Sequence, residues 1–263
     1  MKRILNIAVA FAAAAFALSC TEQTLPKVVS HRGFYKAEGS YENTIHSLAG
    51  AQALGVAGVE FDVNMTADDS LIIFHGPKIL KTGLDAQKNR FEEIREVVLP
   101  NGHQIPTLRE FLAQGKLDPS TTLVMEIKKH GKKEKETQVV EAVLATIKSM
   151  DMPISQFQFI SFSEWVCREV KRLCPEAYTM YVSSDINEKP VAYYHDLGVN
   201  CLSYNLNVMM NHPEFASDAL ALGMETTLWM SNDPEVIDWA IKHKITYVST
   251  DYPDKIKAYL ATK

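Results

Sequence analysis

Short apolar runs and longer amphipathic stretches alternate along this chain. The runs KVVSH (27–31), GVEFDV (58–63), TLVMEIK (122–128), FQFIS (157–161), AYTMYV (177–182), NCLSYN (200–205), TTLWM (226–230) and TYVST (246–250) have the length and composition of buried strands. Between most of them, apolar residues recur at helical spacing over 42–54, 107–115, 136–150, 163–173, 189–197, 212–222 and 233–243. No Ser/Gly/Pro-rich linker divides the series. Eight strands alternating with helices in about 250 residues predict an α/β fold, a TIM (β/α)8 barrel formed as a single domain over 27–263. A doubly wound open sheet is the rival architecture.

One stretch breaks the rhythm. After EFDVNMT (60–66) come ADDS and then LIIFHG (71–76), which reads as a strand, a turn and a returning strand. If the first strand projects above the barrel rim and turns back, His75 returns to the face where barrels carry their ligands. Residues 77–106 then form a small insertion on that same face.

Period-2 alternation sends Glu60 and Asp62 to one side of their strand and Phe61 and Val63 to the other. Two carboxylates side by side in a barrel interior repel, so burying both demands compensation. Glu126 and Lys128 repeat the pattern inside the apolar run that forms the next parallel strand. Read singly, each carboxylate is a rim residue paired with Lys or Arg. As a set, Glu60, Asp62 and Glu126 make an oxygen-rich site suited to Mg²⁺ or Ca²⁺ rather than zinc. His31 and His75 each end an apolar run, which suits a general acid and a general base. Arg32 and Lys128 offer positive charge to an anionic oxygen group. The other six histidines are read as unremarkable.

The chain of 263 residues holds 27 Lys and Arg against 32 Asp and Glu, a formal net charge of -5. A mildly acidic protein of this kind has no electrostatic footprint for nucleic acid. Its one basic cluster, KKHGKKEKE (128–136), is read as a solvated loop leading into a helix, with Lys128 the exception. Residues 1–19 resemble a bacterial secretion signal: Lys2 and Arg3, an apolar run from Ile4 to Leu18, then Ser19 before Cys20. The expectation is cleavage before Cys20, lipid modification of that residue, and a tether over 20–26. An exported protein anchored to a Gram-negative membrane, facing the periplasm or the cell surface, follows from it; an ordinary cleaved signal with an incidental cysteine is the plainer alternative. Cys167, Cys174 and Cys201 have neither disulfide nor zinc spacing and are read as buried thiols. No nucleotide-cofactor motif is present, and the oligomeric state is not legible.

HRG (31–33), ENT (42–44), EFDV (60–63) with Thr66 and Asp68, FH (74–75), IPTL (105–108), EIK (126–128) and TDYP (250–253) fall in order across the chain. Together they resemble the glycerophosphodiester phosphodiesterase family. The resemblance implies a TIM barrel and a metal-dependent hydrolase that cleaves small glycerophosphodiesters to sn-glycerol 3-phosphate and an alcohol. It implies His31 and His75 as the acid–base pair, Glu60, Asp62 and Glu126 as ligands of Mg²⁺ or Ca²⁺, and Arg32 and Lys128 as phosphate contacts. It places Asn43 near the metal or phosphate, with helix capping as the alternative, and Glu42 holding Arg32 or a ligand. The family often has an aromatic residue where Trp229 stands, so Trp229 is expected to wall the pocket. Phe34 and Tyr35 are weaker candidates for the same wall, and Phe162 is assigned to the core. Two departures bear on specificity: Gly76 follows His75 where the family has Asp, and residues 77–104 diverge from the family's usual sequence. Two other functions stay open: a related barrel phospholipase acting on intact phospholipids or lysolipids, and a non-catalytic surface lipoprotein that binds phosphodiesters.

Overall fold

The computed structural model describes residues 24–185 and 189–263. The expected signal segment and Cys20 lie outside the described residues. Elements follow in the order β1 (Lys27–Ser30), α1 (Ile45–Leu54), β2 (Gly58–Met65), β3 (Leu71–Ile73), α2 (Phe91–Arg95), α3 (Leu108–Gly115), β4 (Thr122–Ile127) and α4 (Lys133–Ser149). The second half continues with β5 (Phe157–Ser161), α5 (Glu164–Leu173), β6 (Tyr178–Ser183), α6 (Val191–Asp196), β7 (Cys201–Asn205), α7 (Leu206–Asn211), α8 (Glu214–Ala221), β8 (Glu225–Trp229), α9 (Pro234–Lys242), β9 (Tyr247–Thr250) and α10 (Pro253–Leu260).

Strands pair in the order β1-β9-β8-β7-β6-β5-β4-β2, and β1 also pairs with β2, so eight parallel strands close on themselves. The fold is the TIM (β/α)8 barrel. β3 lies outside the ring and pairs antiparallel with the upper half of β2, Val63 opposite Ile73. The hairpin expected after Glu60 and Asp62 is therefore present. Beyond it the chain builds a second small core from Ile72, Phe74, Ile79, Ile94 and Ile105, among others. Among the described residues no helix is long and apolar enough to cross a membrane.

Period 2 decides what each strand shows to each side. Phe61 and Val63 belong to the core between strands and helices, where Phe61 packs on Phe111 of α3 with ring centroids 4.5 Å apart. Val29, Val124, Ile160, Met180 and Cys201 fill the inside of the ring. Truncating a residue as buried as Phe61 costs about 3–5 kcal/mol. The helical stretch expected over 212–222 is present as α8, and a short helix that the sequence pattern does not indicate precedes it. Leu206–Asn211 forms a separate short helix, α7, because Asn205 caps it and Pro213 interrupts the chain before α8. Cys167 and Cys201 are buried thiols as expected, whereas Cys174 is only partly covered.

Candidate active site

The HRG turn is shaped by backbone needs. Arg32 adopts a left-handed conformation, φ 54°, and Gly33 follows at φ 78°. A Cβ on Gly33 would sit 2.7 Å from the carbonyl carbon of Ser47, so glycine is required for the turn to pack on α1. Three bonds fix the unusual Arg32 conformation. Its N–H donates to Glu60 Oε2 at 2.9 Å, and its carbonyl accepts from Ser47 Oγ and the Asn43 N–H. The ENT stretch completes the turn: Thr44 caps α1 in a capping box with Ser47. Asn43 is thereby freed from capping. Its amide nitrogen donates to Asp62 Oδ2 at 2.7 Å and its amide oxygen accepts from the Asp62 N–H at 3.0 Å.

β2 and β4 run side by side with Asp62 opposite Glu126. Glu60, Asp62 and Glu126 are all buried, and each offers an oxygen within 4.8 Å of the others. Lys128 Nζ donates to Glu126 Oε1 at 2.6 Å and to Asp62 Oδ1 at 3.1 Å. Arg32 donates from one guanidinium nitrogen to Glu42 Oε2 at 2.8 Å, while its Nε lies 3.7 Å from Asp62. Two cations thus face three acidic groups.

The imbalance shows in their proton affinities. Burial, reinforced by Asp62 and Glu126, pushes the Glu60 carboxyl well above the usual range. Burial and then the Asp62 charge push Glu126 up to about 7, against the pull of Lys128. Burial opposes ionisation of Asp62 too, but Lys128, His75 and Arg32 outweigh it and hold that carboxyl below its ordinary value. Glu60 Oε1 is buried with no hydrogen-bond partner among the described residues. A bare cluster with an orphaned oxygen and two reluctant acids is what a divalent cation would relieve, and an all-carboxylate donor set fits Mg²⁺ or Ca²⁺.

His31 Nδ1 donates to Asp251 Oδ1 at 2.8 Å, and its Nε2 lies 3.9 Å from Glu60. Asp251 is itself placed by Asn232, whose side-chain oxygen accepts from the Asp251 N–H and from the Thr250 hydroxyl. Burial would raise the Asp251 carboxyl, but the His31 hydrogen bond and charge keep it below its ordinary value. Asp251 lies in TDYP, where the sequence alone assigns it no role; its signal is a carboxylate directly after the end of β9. His75 stands at the mouth, exposed on one side; partial burial, with Arg32 and Lys128 nearby, lowers its basicity against the opposing effect of Asp62.

A cavity of about 190 Å³ is lined by His31, Arg32, Glu60, His75, Glu126 and Lys128 together with Val29, Val124, Ile160, Met180 and Trp229. Val29 and Val124 precede His31 and Glu126 by two residues along β1 and β4, so an apolar layer underlies part of the charged rim. Trp229 walls the cavity, its Nε1 donating to the Ser203 carbonyl at 3.0 Å. Phe162 corrects the expectation of a core residue: it is 36% exposed, lines the cavity and meets Trp229 edge to face at 5.9 Å. It sits just past the end of β5, where a side chain points over the barrel mouth. Phe34 and Tyr35 do not line the cavity. Phe34 packs against the main core, and the Tyr35 hydroxyl bonds Asp251 from outside.

The glycerophosphoryl diester phosphodiesterase family model matches residues 31–255. A crystal structure of a glycerophosphodiester phosphodiesterase from Parabacteroides distasonis superimposes with a TM-score of 0.86 at 31% identity, covering 90% of this chain and 97% of that one. A phosphodiesterase from Oleispira antarctica, solved with the product sn-glycerol-3-phosphate, has a TM-score of 0.76 at 23% identity over 90% and 97%. A glycerophosphodiester phosphodiesterase from Thermotoga maritima has a TM-score of 0.70 at 22% identity over 89% and 98%. The latter two share the fold.

Proposed function

The chain belongs to the glycerophosphoryl diester phosphodiesterase family, and from that premise we propose that it is a metal-dependent hydrolase. It cleaves small glycerophosphodiesters to sn-glycerol 3-phosphate and an alcohol, with His31 and His75 as the acid–base pair. The observation that carries this reading is the buried carboxylate cluster of Glu60, Asp62 and Glu126, two of which line one cavity with Arg32, Lys128 and both histidines. The Oleispira antarctica enzyme, by its bound product, supports the substrate class.

Glu60, Asp62 and Glu126 would hold a divalent cation, which would supply Lewis-acid charge for the phosphate. Arg32 and Lys128 bind phosphoryl oxygens and balance the charge that builds on them. Glu42 orients the Arg32 guanidinium, and Asn43 fixes Asp62 from two sides. Asp251 holds the His31 ring so that Nε2 faces the cavity. His31, flanked by the carboxylates of Asp251 and Glu60, gives a proton to the departing alkoxide. His75, whose lowered basicity leaves it neutral, takes one from the nucleophile, a water or the neighbouring glycerol hydroxyl. No aspartate follows His75, where Gly76 stands in the bend after β3. Trp229 and Phe162 keep bulk water from the apolar layer.

A cavity of about 190 Å³ is smaller than the roughly 300–1,000 Å³ typical of ligand pockets, which favours a small diester over an intact phospholipid. The test is release of glycerol 3-phosphate from glycerophosphocholine, glycerophosphoethanolamine, glycerophosphoinositol and glycerophosphoglycerol, in EDTA and with Mg²⁺ or Ca²⁺ restored. Metal-dependent release supports the reading. Consumption of phospholipid or lysolipid alone would shift it to a phospholipase, and no turnover of any substrate would leave a binding protein.

For the whole chain we propose export, with residues 1–19 removed, Cys20 lipid-modified and 20–26 as a tether to the barrel domain. The protein then sits at a membrane in the periplasm or on the cell surface. Fatty-acid labelling of the wild type that persists in Cys20→Ala would contradict it.

A further inference from the structure

The one basic cluster of this acidic chain stands beside the active site. A second cleft on the catalytic face begins at Phe162, which also lines the active cavity, and opens over Trp165 between Lys129, Lys132, Lys133 and Arg168. The loop that carries the first three lysines is fixed rather than free. Its Lys128 carbonyl accepts from His130 Nδ1 at 2.8 Å, its Lys129 carbonyl accepts from Gln87 Nε2 at 3.1 Å, and the His130 N–H donates to Glu136 at 3.0 Å. Lys133 lies over the Trp165 ring at 4.6 Å from its centroid.

The cleft's two carboxylates are already engaged. Glu136 is buried and accepts from the His130 N–H and Ser163 Oγ, and Glu164 is shared by Arg168, Lys189 and the Tyr193 hydroxyl. Among the described residues, Lys129, Lys132 and Lys133 form no ion pair. In a chain of net charge -5, three unpaired ammonium groups on a fixed loop against an aromatic floor select for anions. Phe162 lines both the cavity and the cleft, so an alcohol group extending out of the cavity across it would enter the cleft.

We propose that this cleft is a second anion subsite, receiving a phosphate carried by the alcohol of the substrate. The enzyme therefore prefers glycerophosphodiesters whose head group bears an additional phosphate. This rests on the hydrolase reading above. A membrane surface is the less favoured occupant, because the chain enters β1 at the opposite end of the barrel from the cleft.

The test compares glycerophosphoinositol with glycerophosphoinositol 4-phosphate, for the wild type and for a Lys129→Ala, Lys132→Ala, Lys133→Ala variant. The wild type is expected to favour the phosphorylated compound about tenfold in kcat/KM, through KM and with a preference that salt weakens. The variant is expected to lose the preference to within about twofold and to cleave glycerophosphoinositol as the wild type does. Equal turnover of both compounds by the wild type, or a preference retained by the variant, overturns the proposal. So does loss of binding to phosphatidylglycerol vesicles in the variant with head-group preference unchanged, which would assign the lysines to a membrane. If neither compound nor any other diester of the panel above is cleaved, the hydrolase reading fails. Equilibrium binding of the two compounds then decides the subsite by the same preference.

Discussion

At the amino end of the barrel interior one carboxylate, Glu225, accepts from the hydroxyls of Tyr178 and Tyr247, and Gln158 Nε2 donates to Tyr247 at 3.1 Å. At the carboxyl end three carboxylates crowd within 4.8 Å, and one oxygen of Glu60 has no partner among the described residues. The lower cluster stands on β5, β6, β8 and β9 with Glu225 half-buried, and the upper acids stand buried on β2 and β4, so the two differ in burial as well as in how charge is matched to partners. The lower cluster matches its acceptor with neutral donors, and burial and the carboxylate together raise the Tyr178 and Tyr247 hydroxyls far above any physiological pH, Tyr247 to about 12. The upper cluster holds more acids than Lys128 and Arg32 can pair, so Glu60 and Glu126 keep their protons more tightly than ordinary carboxyls. A fold holds such an arrangement at a cost in stability, and the cost is recovered when a ligand of the right charge binds.

The sharpest way to break this contrast is to neutralise one acid at each end. Glu60→Gln keeps an acceptor for the Arg32 N–H but removes an acid whose ionisation burial, Asp62 and Glu126 oppose. It is expected to lower turnover by at least ~10²-fold while raising metal-free stability by about 1 kcal/mol. A turnover assay beside a melt in EDTA reads both signs, and a lowered melting temperature would contradict the account. Next in size, Gly33→Ala forces a Cβ against Ser47 at a positive φ and should cost about 2–3 kcal/mol, seen as a lowered denaturant midpoint. Asp251→Asn removes the carboxylate that aims His31. It should cost about 10–100-fold in kcat with KM little changed and the fold intact, because the amide cannot hold the same ring tautomer.

Glu225→Gln belongs to the lower end and should do the reverse of Glu60→Gln. Turnover stays within about twofold and stability falls by about 1 kcal/mol. The smallest effect lies outside the barrel, where Arg95 of α2 grips Glu110 of α3 with two bonds of 2.7 Å. That hydrogen bonding, with further help from Thr107, pulls the Glu110 carboxyl down to about 2. A depressed carboxyl stabilises the fold above its unfolded value and loses that contribution as pH falls from the ordinary carboxylate range towards 2. Because the pair is partly exposed, the contribution is below about 1 kcal/mol. The stability gap between wild type and Glu110→Gln should therefore close over that interval.

Much of this was legible in the chain itself. Period 2 in GVEFDV and TLVMEIK was enough to send Glu60, Asp62 and Glu126 to one side, because a strand buried on both faces still alternates. The barrel followed from eight such runs with helices between them. The structure brings His31, Arg32, Glu60, Glu126, Lys128, His75 and Trp229 to one cavity, with Asp62, Glu42 and Asn43 behind them. Asp251 was harder to place because its partner lies 220 residues away, joined only when β9 closes against β1. Phe162 looked like core because local sequence does not reveal where a strand ends relative to the barrel mouth. Nor does sequence show that Lys128 bonds two of the acids directly, a register effect of β2 against β4.

The central claim is that the three carboxylates form a cation site on which hydrolysis depends. Titration of the purified, metal-stripped protein with Mg²⁺ and with Ca²⁺ by calorimetry, alongside Glu126→Gln, tests it most directly. One binding event per chain in the wild type, absent from the variant and accompanied by return of glycerol 3-phosphate release, is the predicted result. Undiminished hydrolysis in EDTA, with no binding of either ion, would contradict it.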